Sequence, residues 1–304
     1  MLRVAIASGK GGTGKTLLAT NLAAVIAARG TRVALVDCDA EAPNDHLFFG
    51  LDEVSAEPVS VTTALVDPDA CTACGICRDA CAFGAIRILG DSALVFDELC
   101  HGCGVCRLVC PSKAITEPRR EVGVVEWARA LRDASGELTI VSGRLAIGDV
   151  KTPEVIRASR ARAEELAPDV VLLDAPPGVA CAAVAAVRGA DVLVLVTEPT
   201  PFGLHDLDLS VRLARDMGMP TAIIVNRAGT GDIDIDEWAR EREIPVLLHI
   251  PFDRAIARTY ASGALLVDTD PHLAEEIDCV WRSIEAFVRS GRAVRCPDDT
   301  AGER

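Results

Sequence analysis

The chain has few aromatic residues, 7 Phe, 3 Trp and 1 Tyr among 304. Single-stranded nucleic acid is held by stacking bases on such side chains, so no platform of that kind is expected. Basic residues are in deficit as well: 31 Lys and Arg face 45 Asp and Glu, a formal net charge of −14. The chain is therefore a poor candidate for holding duplex DNA or anionic lipid by charge alone, a local basic patch aside. No apolar run reaches the roughly 18 residues that argue for a membrane-crossing helix. Met1–Ala7 is a short apolar run that meets Gly and Lys at once, without the basic region, apolar core and cleavage site of a secretory leader. A cytoplasmic protein is expected. Apolar residues make up 50% of the chain, enough to bury a sizeable core and to exclude bulk disorder.

Cysteine, by contrast, is plentiful, with 12 residues. The cytosol keeps thiols reduced, so a disulfide framework is not expected there. Only Cys38, Cys181, Cys279 and Cys296 lie outside the block from Cys71 to Cys110, and clustered cytosolic cysteines point to metal. The spacing Cys71-x₂-Cys74-x₂-Cys77-x₃-Cys81 recurs as Cys100-x₂-Cys103-x₂-Cys106-x₃-Cys110-Pro111, the bacterial two-cluster ferredoxin pattern used twice. In that pattern three close thiolates cap one cubane and the fourth ligand comes from the other motif. One [4Fe–4S] cluster is thus expected on Cys71, Cys74, Cys77 and Cys110, and a second on Cys100, Cys103, Cys106 and Cys81. Paired zinc sites would join C-x-x-C pairs across a longer spacer. Gly75 and Gly104 leave room for the backbone to wrap the sulfides, while Ala82 stands where ferredoxins usually carry Pro. His101, between two ligands, reads as a surface residue or a hydrogen-bond donor to sulfur.

Outside this block strands and helices alternate. Leu2–Ala7, Arg32–Asp37, Val170–Asp174, Val192–Thr197, Thr221–Asn226 and Val246–Ile250 read as buried parallel strands, with weaker candidates at Val122–Val125 and Leu138–Val141. Helical stretches fall at Thr16–Ala28, Pro153–Leu166, Leu204–Met217 and Ile235–Glu241. The pattern predicts an α/β fold, a doubly wound, mostly parallel sheet over 1–63 and 118–290, with a small α+β insert at 64–117. Leu273, Ile277, Val280, Trp281, Ile284 and Val288 recur at helical spacing and predict a core-facing helix, before a polar tail over 291–304.

After the first strand stands Gly9-Lys10-Gly11-Gly12-Thr13-Gly14-Lys15-Thr16, a complete G-x-x-x-x-G-K-[ST] loop between strand and helix. Its backbone N–H groups and the helix N-terminus suit phosphate oxygens, Lys15 the β- and γ-phosphates, and the Thr16 hydroxyl a Mg²⁺ ion. The second lysine, Lys10, resembles the deviant loop of the MinD/ParA/nitrogenase iron protein superfamily of P-loop ATPases. Asp37-Cys38-Asp39-Ala40-Glu41-Ala42-Pro43-Asn44 resembles its first switch, and Asp174-Ala175-Pro176-Pro177-Gly178 its Walker B aspartate and second switch. Ile224-Val225-Asn226-Arg227 and Ile250-Pro251-Phe252-Asp253 resemble its adenine-side segments, which places Asn226, Pro251 and Asp253 at the nucleotide. The chain lacks the Asn-Lys-x-Asp of guanine-specific proteins, which favours ATP. The resemblance implies a dimer around ATP, with Lys10 reaching the partner's nucleotide, Asp39 orienting water, and Asp37 and Asp174 holding Mg²⁺ through its waters.

With a two-cluster ferredoxin between its switches, the chain resembles a recognised subgroup of that superfamily. ATP turnover in a homodimer or paralogous heterodimer, coupled to electron transfer or metal-cofactor handling with a partner protein, is the expected activity. A MinD-like positioning switch is the first alternative, but neither a C-terminal membrane helix nor a basic DNA face is visible. A Mrp-type cluster carrier is the second, and it would need a C-terminal C-x-x-C, which the well-separated Cys279 and Cys296 do not form. Cys181 follows the second switch, where a cysteine of the nitrogenase iron protein holds a shared cluster; a small buried side chain is the simpler expectation.

Overall fold

The structure, a computed structural model, describes residues 1–132 and 135–290. The polar tail and Cys296 lie outside the described residues. Strands β1 (Leu2–Ala7) and β2 (Val33–Asp37) come first, followed by β3 (Ser55–Thr62) and β4 (Leu65–Val66). Next are β5 (Ile86–Leu89), β6 (Ser92–Val95), β7 (Ile115–Thr116), β8 (Arg119–Arg129) and β9 (Leu138–Leu145). The last four are β10 (Val170–Asp174), β11 (Val192–Thr197), β12 (Thr221–Ala228) and β13 (Val246–Pro251). The chain divides into a larger unit, Met1–Ala56, Val125–Arg144 and Ile156 onward, and a smaller one, Glu57–Val124 with Leu145–Val155.

In the larger unit the strands are ordered β13-β12-β11-β1-β10-β2-β9, and each of these neighbouring pairs is parallel. Every residue of β2, β10 and β11 is buried. Their unbroken Val/Leu runs are what a sheet covered on both faces requires. Helix Lys15–Ala28 is apolar nearly all round, with Leu17 through Ala27 buried, so it lies wholly inside the core. Helix Pro271–Ser290 adds Leu273, Ile277, Val280, Trp281 and Ile284 to that core. Its periodicity ends sooner than expected: Val288 is exposed, because the final turn runs past the apolar layer.

Register sets the site. Ile6 pairs with Asp174, and Asp174 with Asp37, so the ends of β1, β10 and β2 lie side by side. The phosphate loop and both aspartates therefore meet at the carboxyl edge of the sheet, where open α/β sheets bind ligands.

The smaller unit contains the antiparallel pairs β4–β7 and β5–β6 and two short helices, Ile76–Ala80 and Val105–Val109. Ala64, Cys77, Ile86, Ala93 and Ile115 make its core. The two cysteine motifs fold alike. Gly75 and Gly104 each begin a helix at φ 80° and 77°, a left-handed conformation that glycine adopts without strain. The amide of Ala85 donates to the Cys81 sulfur at 3.4 Å, and that of Ala114 to the Cys110 sulfur at 3.4 Å. The segment Leu145–Val155 is tied to the cysteine block by buried Lys151, whose ammonium donates to the carbonyls of Cys100 (2.6 Å) and Glu98 (3.2 Å).

Candidate functional site

The larger unit brings Asn226 and Asp174 to the loop 9–16. Gly14 takes φ 97°, and a side chain there would strike the Asn226 amide. Asn226 donates its side-chain amide to the Thr13 carbonyl at 2.7 Å and accepts from the Arg227 N–H at 2.8 Å, so it supports the loop from below. Lys15 is buried, and burial pulls its ammonium below its ordinary pKa while Asp174 and Asp39 oppose the shift. Thr16 donates its hydroxyl to Asp174 Oδ2 at 2.6 Å. Pro251 ends β13 beside Ala228, and exposed Asp253 caps helix Arg254–Ala261 by accepting from the Ala255 N–H at 2.7 Å.

Asp37 is 1% exposed and serves as a backbone acceptor. Its Oδ1 takes the Asp39 N–H at 3.0 Å, and its Oδ2 takes those of Asn44 at 2.6 Å and Asp45 at 3.0 Å. Burial and the nearby Asp174 push Asp37 up to about 7 despite these bonds. Asp174 is pushed up to about 6, again mainly by burial, with the Thr16 bond and Lys15 pulling the other way. Asp45 sits beside them fully buried and is raised well above a normal carboxylate, by burial first and then by Asp37 and Asp174. Sequence reasoning missed Asp45; the only signal was an acid directly after Pro43-Asn44 in the first switch. It also missed Tyr260, half buried against Phe48 at a ring separation of 5.1 Å.

Lys10 is not free. Its ammonium pairs with Glu198 Oε2 at 2.8 Å, while Arg227 pairs with Glu198 Oε1 at 2.7 Å and donates to the Gly12 carbonyl at 3.3 Å. The Glu198 side chain is 6% exposed, against 34% for Lys10 and 48% for Arg227. One buried carboxylate thus fastens both cations that flank the loop. Glu198→Gln is expected to lower the unfolding free energy by about 1–2 kcal/mol, since both cations remain half-solvated and regain water; urea unfolding measures it. No loss would mean that the pairing is incidental.

In the smaller unit the eight cysteines sort into two sets. Cys71, Cys74, Cys77 and Cys110 line one cavity, and Cys81, Cys100, Cys103 and Cys106 another. Phe83 and His101 stack at 3.9 Å beside the second set. Amides of Ala73 and Ala93 hold the Cys71 thiol below its ordinary pKa, and Ser112 does the same for Cys110. Burial raises Cys77 and Cys106. Among the described residues no three His, Cys, Asp or Glu side chains converge as a single-ion site of three such ligands needs. Four cysteines line each of two separate cavities instead. Cys181, expected to be buried, is exposed at the start of helix Cys181–Val187, because the second switch delivers it to the surface.

With that geometry in place, a family model described as the CobQ/CobB/MinD/ParA nucleotide binding domain matches residues 4–267. The chain belongs to this family. Among its relatives is the uncharacterized protein MJ0578 of Methanocaldococcus jannaschii, 28% identical over 95% of this chain and 98% of that one. The MinD cell division ATPase of Pyrococcus furiosus shares the fold with a TM-score of 0.57 at 21% identity, over 94% of this chain and 99% of that one. The septum site-determining MinD of Pyrococcus horikoshii, complexed with Mg-ADP, has a TM-score of 0.55 at 20% identity, over 94% and 98%. As a CobQ/CobB/MinD/ParA protein the chain has its nucleotide loop at the carboxyl edge of a mostly parallel sheet. Among the described residues no helix is long and apolar enough to cross a membrane.

Proposed function

We propose that the chain hydrolyses ATP and couples that turnover to two [4Fe–4S] clusters, in the subgroup of its family with a ferredoxin insert at 64–117. One observation carries this: the cysteines that the spacing assigns to each cluster, crossed fourth ligands included, line two separate cavities. An orphaned buried polar atom, Thr13 Oγ1, fits a nucleotide at the other site, and the Thr16 hydroxyl with the Asp174 carboxylate fits its cation. Gly9, Gly11, Gly12, Thr13 and Gly14 would cradle the phosphates by their backbone, and Lys15 would neutralise the β- and γ-oxygens. Thr16, with Asp37 and Asp174, would hold Mg²⁺, while Asp39 orients the attacking water. Asn226, Pro251 and Asp253 would edge the nucleotide. When bound, Mg²⁺ supplies charge neutralisation and the clusters supply one-electron storage.

Lys10 would leave Glu198 to reach the nucleotide of a second subunit, so that dimer closure, homodimeric or between paralogues, is tied to ATP. The partner served is a protein that accepts electrons or metal cofactor, in the cytoplasm, with no part for nucleic acid. In anaerobic protein, ATP is expected to shift the reduction potential of at least one cluster, measured by redox titration with and without nucleotide. Two clusters at unchanged potential in every nucleotide state would overturn the coupling.

A further inference from the structure

The surroundings of the two cysteine cavities differ in charge. Among the described residues no charged side chain lines the cavity of Cys71, Cys74, Cys77 and Cys110. Cys100, in the other set, is backed by Lys151, which is 6% exposed and donates its ammonium to the carbonyls of Cys100 at 2.6 Å and Glu98 at 3.2 Å. Among the described residues no carboxylate pairs with that ammonium. A buried cation that faces only carbonyl dipoles is costly unless an anion stands nearby. A cubane held by four thiolates is such an anion, and reduction adds to its negative charge.

The local fold delivers this ammonium. Asp149 accepts from the amides of Val150 at 2.8 Å and Lys151 at 3.1 Å, and Arg120 of β8 pairs with Asp149. Arg120 thereby neutralises Asp149, and Asp97 lies 3.9 Å from the same guanidinium. Glu98 is exposed, so water screens its charge. Glu117, which lines the second cavity, is paired with Arg107 at 2.6 Å. Among the described residues near these cysteines, Lys151 is thus the buried charge left without an opposite partner. Hydrogen bonds to sulfur favour the first set instead: Ser112 reaches Cys110 at 3.5 Å, and the amides of Ala73 and Ala93 act on Cys71. Each of these is a neutral dipole on one sulfur, and its effect falls off faster than the field of a full charge kept from water.

We propose that Lys151 sets the order of the two clusters: its charge stabilises the reduced form of the cluster on Cys81, Cys100, Cys103 and Cys106, which makes that cluster the electron sink of the chain. The inference rests on the two-cluster reading and on nothing at the nucleotide. An electron placed on the cluster of Cys71, Cys74, Cys77 and Cys110 moves to the other; the first is oxidised, the second is reduced, and no further reactant is consumed. The electron then waits beside the exposed Phe83 and its stacked His101.

The test is a redox titration of the full, anaerobically purified chain with dithionite, read by electron paramagnetic resonance, with iron and sulfide counted in each sample. In the wild-type chain the first electron is expected on the cluster whose signal Cys103→Ser removes. Lys151→Gln keeps a donor for the carbonyls but no charge. It should lower the reduction constant of that cluster at least tenfold, roughly 59 mV for one electron, and leave the other cluster unmoved. Lys151→Arg should keep the wild-type order. An unmoved potential in Lys151→Gln, or an equal shift of both clusters, would overturn the proposal. If Lys151→Gln loads only one cluster, the wild-type titration still decides: equal potentials, or a first electron on the other cluster, overturn it. A wild-type chain that holds fewer than two clusters would sink the cluster reading and the inference with it, and the iron count tells that outcome from a wrong order.

Discussion

Lys15→Ala is expected to weaken ATP binding by about 10²–10⁴-fold, roughly 3–6 kcal/mol, from the loss of two charge-assisted hydrogen bonds to phosphate. The side chain is buried, and burial already holds its ammonium below its ordinary pKa. Its charge is therefore kept where little water competes, which strengthens contact with an incoming phosphate. Alanine would leave Asp174 facing the nucleotide without a nearby cation, adding repulsion to the lost attraction. Lys10→Ala should behave differently. That lysine is about one-third exposed and engaged with Glu198, so most binding should survive while ATP-dependent self-association and turnover are lost. Isothermal titration with a non-hydrolysable ATP analogue and size-exclusion chromatography separate the two variants. Equal loss of binding in both would place Lys10 on its own subunit's nucleotide and remove the case for a crossing lysine.

The loop, its strand and its helix could be read from residue types because local chemistry dictates them: a buried aliphatic run, glycines able to turn, then a lysine and a threonine. The same holds for Asp37 and Asp174, which end strands that the apolar pattern locates. Other parts depend on partners distant in sequence. Asp45 is held against Asp174 because Asp37 draws in the amides of Asn44 and Asp45, which no periodicity encodes. Glu198 acquires meaning from Lys10 and Arg227, which lie 188 and 29 residues away. Strand β8 spans Arg119–Arg129, far beyond the Val122–Val125 core that its apolar residues suggest, because the charged residues at its two ends, Arg119 to Glu121 and Glu126 and Arg129, hide a half-exposed strand. Helix Arg254–Ala261 is amphipathic but only 8 residues long and buries no residue fully, so its few apolar positions, Ile256 and Tyr260 against the core, are too short a stripe to mark it in the sequence. In the cysteine block spacing alone gave the two motifs and their glycines, while the short helices after Gly75 and Gly104 are below the length at which periodicity can be seen.

Anaerobic protein should contain about eight iron and eight acid-labile sulfide per chain, as two cubanes require. The strongest discrimination comes from the crossed ligands. Cys110 follows Cys106 in sequence, yet it lines the cavity of Cys71, Cys74 and Cys77. Cys81 lines the cavity of Cys100, Cys103 and Cys106. Cys110→Ser should therefore damage the same cluster as Cys77→Ser, and Cys81→Ser the same one as Cys103→Ser. Each variant should retain about four iron in the undisturbed site. Electron paramagnetic resonance of the reduced variants should sort them into those two pairs. Sorting by sequence motif instead, with Cys110 grouped with Cys103, would rule out the crossed arrangement. Stoichiometric zinc with no charge-transfer absorption would end the cluster assignment altogether. Stability offers a second measure, because Cys77 belongs to the small core with Ile86 and Ile115 and burial raises its thiol pKa. A thiolate there is costly without a metal to bind it, so cluster loss should loosen the smaller unit. Limited proteolysis should then cut first between Glu57 and Val124 in the cluster-free chain, whereas the larger unit, whose core contains no cysteine motif, should stay resistant.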